Sequence, residues 1–99
     1  MSLQVFWSED ALADARTLFG FIAQDSLQNA HLVADRIDQT ISRLAEMPFG
    51  RVGRMKNTYE VVVPKTPFII AYQLNKNKSL NIVRVIHGAR DWQAGKWPK

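Results

Sequence analysis

The chain has 99 residues, 46% of them hydrophobic and 22% charged, so we expect a single domain over residues 1–99 with a buried core. This composition excludes disordered, collagen-like and coiled-coil proteins. The absence of cysteine excludes disulfide frameworks, thiolate nucleophiles and cysteine-type zinc sites, and two histidines make a poor metal site, so we expect no metal and no cofactor. No segment approaches the roughly 18 consecutive apolar residues of a membrane span. We therefore expect a cytoplasmic, soluble protein.

Charge is divided unevenly along the chain. Residues 1–49 carry seven acidic and three basic side chains, a net charge of −4, whereas residues 50–99 carry ten basic and two acidic side chains, a net charge of +8. Such an asymmetry favours a partner that presents phosphates or acidic side chains, because summed charge raises the local potential and speeds encounter.

The first half of the chain reads as one strand and two helices. Weak alternation over residues 3–7 predicts a strand, and Ser8 has the chemistry of a helix N-cap. A helix of about four turns follows, because apolar residues then recur every three or four positions. A second apolar stripe predicts another helix over Leu27–Glu46, ended by Pro48 and Gly50. A short connection joins the two helices, so we expect an antiparallel helical hairpin.

The second half has a β pattern. Residues 50–54 read as a loop, followed by three runs of strand-forming residues at 59–63, 68–74 and 80–87 that are separated by short polar connectors. Short connectors favour antiparallel neighbours. The predicted order is β-α-α-β-β-β, an α+β fold in which an antiparallel sheet is covered on one face by the helical hairpin, with residues 68–72 as the central strand.

Four segments carry a resemblance to a known family. They are Gly50-Arg51-x-Gly53-Arg54, Thr58-x-Glu60-Val61-Val62, Pro67-Phe68-Ile69-Ile70-x-Tyr72 and Arg84-Val85-Ile86-His87-Gly88-x-Arg90-x-Trp92. With the strand and helices before them, they resemble the RelE/ParE superfamily of toxins from bacterial type II toxin–antitoxin systems over nearly the whole chain. The resemblance implies a plasmid-stabilising, growth-arresting toxin that a cognate antitoxin silences.

The resemblance implies more than one target. RelE-like members cut messenger RNA in the ribosome, and ribosome-dependent mRNA cleavage by a metal-independent endoribonuclease is our expectation here. ParE-like members inhibit DNA gyrase without nuclease activity, and a non-toxic, antitoxin-binding relic of the fold is the remaining alternative. Neither predicted helix has a basic face, so we expect no direct sequence-specific binding of DNA.

RNA cleavage without a metal uses the 2′-hydroxyl of the substrate and requires an acid–base group and cations near the phosphorus. Arg90 matches the arginine that RelE-like nucleases carry beyond the last strand. Arg84 lies inside that strand, where it must face a cleft or a partner, or pair with Glu60. Histidine is the residue type suited to acid–base chemistry near neutral pH, so His87 is the acid–base candidate, with packing at the strand end as the alternative. We expect the antitoxin to cover Arg84 or Arg90.

Further residues are candidates for contact with the target. The loop cations Arg51, Arg54 and Lys56 line the same cleft or a solvated loop. Trp92 and Lys96 combine an aromatic and a basic side chain that stack on bases or attach the tail to the sheet. We expect the arginines of the second half to share one positively charged hollow.

The chain also departs from the RelE-like pattern. When it is aligned through Tyr72, the strand arginine of the nucleases falls on Ile69, and their paired lysines fall near Glu60 and Val62. Loss of one stabilising donor from such a site costs about a hundred- to a thousand-fold in rate. The predicted catalytic set is therefore incomplete.

Overall fold

The computed structural model describes residues 2–88, which form two helices and one five-stranded sheet. The strand order across the sheet is β1-β5-β4-β3-β2, and the helical hairpin packs on one face. The predicted α+β class is confirmed. In chain order the elements are β1 (Gln4–Trp7), α1 (Glu9–Asp25), α2 (Leu27–Glu46), β2 (Arg51–Val52), β3 (Tyr59–Val62), β4 (Phe68–Leu74) and β5 (Ser79–His87).

Two serines define the helical hairpin. The Ser8 hydroxyl accepts a hydrogen bond from the Ala11 amide at 3.0 Å and begins α1. Ser26 ends α1 and begins α2, because its backbone N–H donates to Ile22 and its hydroxyl accepts from the Asn29 amide. One residue thus serves both helices and forces the chain to reverse. The predicted bounds of α2 are confirmed at both ends.

The sheet is mixed, which corrects the prediction of an antiparallel sheet. The predicted central strand is confirmed, because β4 lies between β3 and β5 and pairs antiparallel with both. However, β1 pairs parallel with β5, and the predicted loop at residues 50–54 contains the two-residue strand β2. A strand of four residues pairs in either direction, so its sequence pattern does not encode which one it takes.

The core lies between the hairpin and the sheet. Full burial of a large apolar side chain contributes about 1.5–3 kcal/mol to stability, so the apolar residues buried between the hairpin and the sheet dominate the stability of the fold. No helix among residues 2–88 is both long and apolar enough to cross a membrane. The helices supply Ala11, Ile37, Ile41, Leu44 and Ala45 to the core, and the strands with the residue that follows β3 supply Val61, Val63, Ile70, Tyr72, Leu80, Ile82 and Val85.

A register shift interrupts the ladder between β4 and β5. Ala71 pairs with Arg84 and Tyr72 pairs with Ile82, which leaves Val83 as an extra residue in β5. Such a bulge redirects the side chains that follow it. Val85 therefore joins the core, while Arg84 lies on the same face of the sheet as Ala71.

Candidate functional site

Arg84 is engaged by the first helix. Its Nε and Nη2 atoms donate to the two carboxylate oxygens of Asp14 at 2.7 and 2.9 Å, and the Val85 amide donates to the same carboxylate at 3.0 Å. The two side chains are 9% and 17% exposed. The prediction of Glu60 as the buried partner of Arg84 is wrong, because Asp14 fills that role.

The connection between β1 and α1 brings Asp14 to this position. β1 pairs with β5 only as far as Ile82, so the edge of β5 beyond that residue has no neighbouring strand. The helix replaces the strand there, since the Ser8 hydroxyl donates to the Val83 carbonyl at 2.8 Å and Asp14, six residues further along the chain, accepts from the Val85 amide. Side chains of α1 thus satisfy backbone groups of β5 that would otherwise be unpaired.

Two of the predicted loop arginines converge on one buried carboxylate. Nη2 of Arg51 lies 3.5 Å and Nε of Arg54 lies 3.9 Å from Oε1 of Glu60, whose side chain is 1% exposed. The backbone N–H of Arg54 donates to Oε2 of the same carboxylate at 2.9 Å. The third loop cation, Lys56, is exposed. Glu60 was a candidate partner of Arg84, and its actual role is to hold this loop.

The loop between β2 and β3 has a defined conformation. The Gly53 amide donates to the Thr58 carbonyl at 2.7 Å, and the Thr58 hydroxyl donates to Met55 at 2.6 Å. A Cβ atom at Gly53 would clash with Thr58. Gly50 has a φ of 121°, a conformation that favours glycine, and a Cβ there would lie 2.5 Å from the Glu60 carbonyl. The arginines therefore stand on a loop with few alternative conformations.

Two tyrosines join this loop to the core. The Tyr72 hydroxyl donates to the Phe49 carbonyl, and the Tyr72 ring stacks on Tyr59 with centroids 5.7 Å apart. Burial, and secondarily the nearby Tyr59, raise the pKa of the Tyr72 hydroxyl above its ordinary value of 10.0. Tyr72 is thus a neutral donor near pH 7 that ties the start of β2 to the central strand.

His87 packs at the end of β5. Its ring lies edge-on to Phe68, with centroids 5.6 Å apart, and the side chain is half-buried. This is the packed arrangement considered as the alternative to an acid–base role. The other predicted residues of the C-terminal segment, Arg90, Trp92 and Lys96, lie outside the described residues.

The central part of the sheet face that carries Arg84 is apolar. Ile69 pairs with Ile86, both buried, and Ala71 lies between Glu60 and Arg84 in the row across the sheet. The shared hollow stays a prediction: Arg51 and Arg84 lie in the same row across this face, where Arg51 and Arg54 approach Glu60 while Arg84 pairs with Asp14 on the other side of β4.

Within residues 2–88, no three histidine, aspartate or glutamate side chains come together in a group able to hold a metal ion. The other histidine, His31, is exposed on α2 with its ring edge-on to Phe19 at 5.3 Å. Metal ligation and histidine clusters thus do not define a site in the described residues.

Comparison with known proteins identifies the class. A family model described as the ParE toxin of type II toxin–antitoxin systems, parDE, matches residues 5–92. The chain is 32% identical over 90 residues to a Sinorhizobium fredii protein that carries the toxin name Y4kP, covering 90% of this chain and 92% of that relative. It is 36% identical over 88 residues to toxin RelE2 of Caulobacter vibrioides, covering 88% and 97%.

These matches define a toxin of a type II toxin–antitoxin system. The chain belongs to the ParE toxin family, within the RelE/ParE superfamily to which its motifs pointed. A toxin of this type is one half of a pair whose other member is an antitoxin.

Solved structures share the fold at low sequence identity. A chain of the chromosomal ParDE system of P. aeruginosa superposes with a TM-score of 0.76 at 16% identity, covering 87% of this chain and 96% of its own. The isolated E. coli RelE toxin superposes with a TM-score of 0.66 at 17% identity, covering 90% and 87%. The fold is thus common to ParE and RelE toxins and does not distinguish between their targets.

Proposed function

We propose that this toxin arrests growth by binding a protein target, DNA gyrase, and does so without cutting RNA. The observation that carries the proposal is the Asp14–Arg84 ion pair. The Asp14 carboxylate occupies the Nε–Nη2 edge of the Arg84 guanidinium, and the side chain is only 9% exposed, so this edge is not presented to a substrate. A nuclease built on β5 would need that cation near the scissile phosphate.

The residues around Arg84 support the same conclusion. Catalysis of phosphodiester cleavage depends on donors placed where negative charge develops, and a single missing donor costs about a hundred- to a thousand-fold in rate. Ile69 occupies the position at which the resemblance places a nuclease arginine, and Glu60 stands near the place of a lysine. Apolar and acidic side chains there do not stabilise a phosphorane, and the family description, ParE toxin, agrees with a mechanism other than cleavage.

Ribosome-dependent mRNA cleavage is the second candidate. His87 favours it, since this half-buried imidazole lies at the end of β5, three residues before Arg90 in the sequence. The proposed contacts are then Arg90, Trp92 and Lys96 together with Arg51, Arg54 and Lys56. Because the Arg84 side chain is only 9% exposed and already pairs with Asp14, we propose that the antitoxin covers the region of Arg90.

Two assays on the purified chain test the proposal. We expect it to inhibit supercoiling of relaxed plasmid by purified gyrase, and we expect primer extension on translated message after induction to show no new cleavage sites. New cleavage sites with unaffected gyrase would overturn the gyrase proposal in favour of mRNA cleavage. Unchanged growth on expression without antitoxin would instead identify a non-toxic relic of the fold.

A double variant separates the two mechanisms inside the cell. Asp14→Asn combined with Arg84→Met removes the ion pair while leaving an amide oxygen to accept from Val85. A toxin that uses Arg84 only to attach α1 to β5 keeps its growth arrest in this variant. A nuclease that uses Arg84 on the phosphate loses it. The exposed-site variant Asp35→Ala serves as the control for expression and folding.

A further inference from the structure

One end of the sheet gathers cations from two hairpin turns. β2 and β3 are joined by residues 53–58, and β4 and β5 are joined by residues 75–78; the strand directions place both turns at the same end. We call the exposed cations of this end the turn-end rim. Its members are Arg51, Arg54, Lys56, Lys76 and Lys78.

The rim offers no exposed carboxylate of its own. Glu60 is the single acidic residue between Gly50 and Gly88, and its side chain is 1% exposed. Glu46, on the helical layer near this end, is hydrogen-bonded by the Ser2 hydroxyl. An approaching polyanion therefore meets five exposed cations on the sheet layer, and the one carboxylate among them is shielded.

Glu60 has an unusual environment for a buried acid. Oε2 accepts from the Arg54 amide, whereas Oε1 has no hydrogen-bond partner among the described residues. The two guanidinium groups lie 3.5 and 3.9 Å from Oε1, at ion-pair distance and beyond ordinary hydrogen-bond distance. Without a hydrogen bond, this buried oxygen depends on the two guanidinium groups to compensate its charge, which links Glu60 to both arginines.

The side chains that Glu60 holds remain accessible. The Arg51 side chain is 63% exposed and the Arg54 side chain is 44% exposed, and both have the buried Glu60 carboxylate as their counter-ion. The carboxylate offsets the mutual repulsion of the two cations, which keeps them side by side on the loop. A planar guanidinium matches the geometry of phosphate oxygens, and two of them together suit a single phosphate group.

We propose that the turn-end rim binds the phosphodiester backbone of nucleic acid without reading its sequence, and that Glu60 is the positioning residue that sets Arg51 and Arg54 for one phosphate. The inference goes beyond the proposed function, since it adds a nucleic-acid contact to a toxin whose target is a protein. The rim extends across four strands, a distance of roughly 14 Å at the usual strand spacing. A backbone with one charge per nucleotide matches such a row of cations better than a single acidic side chain does.

Fluorescence anisotropy of the purified full chain tests the rim. The probes are a labelled 12-nucleotide oligouridine RNA and a labelled 12-base-pair DNA duplex, each titrated at several salt concentrations. Because each phosphate contact contributes about 0.9 to the logarithmic salt slope on duplex and about 0.7 on a single strand, Lys56→Gln and Lys76→Gln each lower the slope by about one contact. Lys65→Gln, in the turn at the opposite end of the sheet, is the matched control and leaves the slope unchanged.

The Glu60→Gln variant tests the positioning role, because the two possible roles of Glu60 predict opposite changes in affinity for the nucleic-acid probes. Removing a negative charge raises the net charge by one, so a purely electrostatic role predicts tighter binding. A positioning role predicts binding several-fold weaker, because the two arginines lose their common anchor. The triple variant Arg51→Gln, Arg54→Gln and Glu60→Gln leaves no buried charge unpaired, so it stays folded and lowers the slope by about two contacts.

The outcomes distinguish the sources of phosphate and the two proposals. Preference for the duplex points to DNA, and preference for oligouridine points to RNA; either supports the rim. Equal slopes for the wild type, Lys56→Gln and Lys76→Gln overturn it, as does binding only to an acidic peptide such as oligoglutamate. Equal or tighter binding by Glu60→Gln overturns the positioning role. None of these results depends on the supercoiling assay, which decides the gyrase proposal separately.

Discussion

Asp14 and Arg84, seventy residues apart in sequence, fasten the first helix to the last strand through three hydrogen bonds to one carboxylate. The pair is the only described link in which a side chain of α1 binds both the backbone and a side chain of β5. It explains why an arginine is tolerated within the apolar run at residues 82–86 of that strand.

Replacing Asp14 with alanine is expected to lower the free energy of unfolding by about 3–5 kcal/mol, because the largely buried Arg84 then loses the carboxylate to which it donates two hydrogen bonds. Denaturant unfolding followed by circular dichroism measures the change. Asp35→Ala, an exposed carboxylate on α2, is the control and is expected to stay within about 0.5 kcal/mol of the wild type. Similar effects for the two variants would mean that the ion pair contributes nothing measurable.

Glycine-to-alanine substitutions at two positions are expected to act with opposite signs. At Gly53 a Cβ lies 3.0 Å from the Thr58 carbonyl oxygen and clashes with the Thr58 hydroxyl, so alanine destabilises by about 1–3 kcal/mol. At Gly20, inside α1, nothing lies within 4 Å of a Cβ, so alanine stabilises by about 0.5–1 kcal/mol. Thermal melts of both variants against the wild type check the signs, and equal shifts would contradict the geometry of the loop.

Tyr72 is expected to make the protein less stable in alkali. Burial raises the pKa of its hydroxyl above 10.0 in the folded state, so above pH 10 the unfolded chain releases this proton more readily than the folded chain does. The contribution is present below the unfolded pKa and is lost as the pH rises through the folded value. Unfolding free energies between pH 8 and pH 11 should therefore fall more steeply for the wild type than for Tyr72→Phe, which otherwise loses about 1 kcal/mol with the Phe49 hydrogen bond. Parallel pH profiles would refute the role of this hydroxyl.

The two capping serines are expected to differ in their contributions. Among the described residues, the Ser26 hydroxyl makes a single hydrogen bond, accepting from the Asn29 amide, so Ser26→Ala is expected to lower the free energy of unfolding by about 1 kcal/mol. Ser8 accepts from Ala11 and also donates to the Val83 carbonyl, so Ser8→Ala costs about 1 kcal/mol more. Urea midpoints of the two variants provide the comparison. Equal midpoints would mean that the hydrogen bond from Ser8 to Val83 adds nothing measurable to the stability of the fold.

Local chemistry made much of this fold predictable. The apolar stripe, the capping serine and Pro48 were enough to give α2 with both of its bounds, and an apolar run free of charges was enough to identify β4 as central. The direction of β1 was not predictable, because four residues pair with either orientation. The strand β2 was not predicted, because the glycines on either side of Arg51 and Val52 favour a loop when only the sequence is considered.

The candidate site was harder to predict, because ion pairs between distant residues leave no spacing signal. A clue to Asp14 was nevertheless present: it lies three residues after Ala11 and four before Leu18, on the apolar side of α1, where an acid requires a partner. Glu60 was considered as a partner for Arg84 because both lie in strands. The loop amide of Arg54 decided the actual pairing, and a backbone donor cannot be located from side-chain chemistry.

The adjacency of β1 and β5 has a consequence for the timing of synthesis. Gln4 and Trp7 lie opposite Ser79 and Ile82 in the ladder, so nearly the whole chain must leave the ribosome before the sheet is complete. Pairing across such a sequence separation is slow compared with helix formation. The nascent toxin is thus unfinished for almost the whole of its translation, and its sheet closes only when synthesis is nearly over.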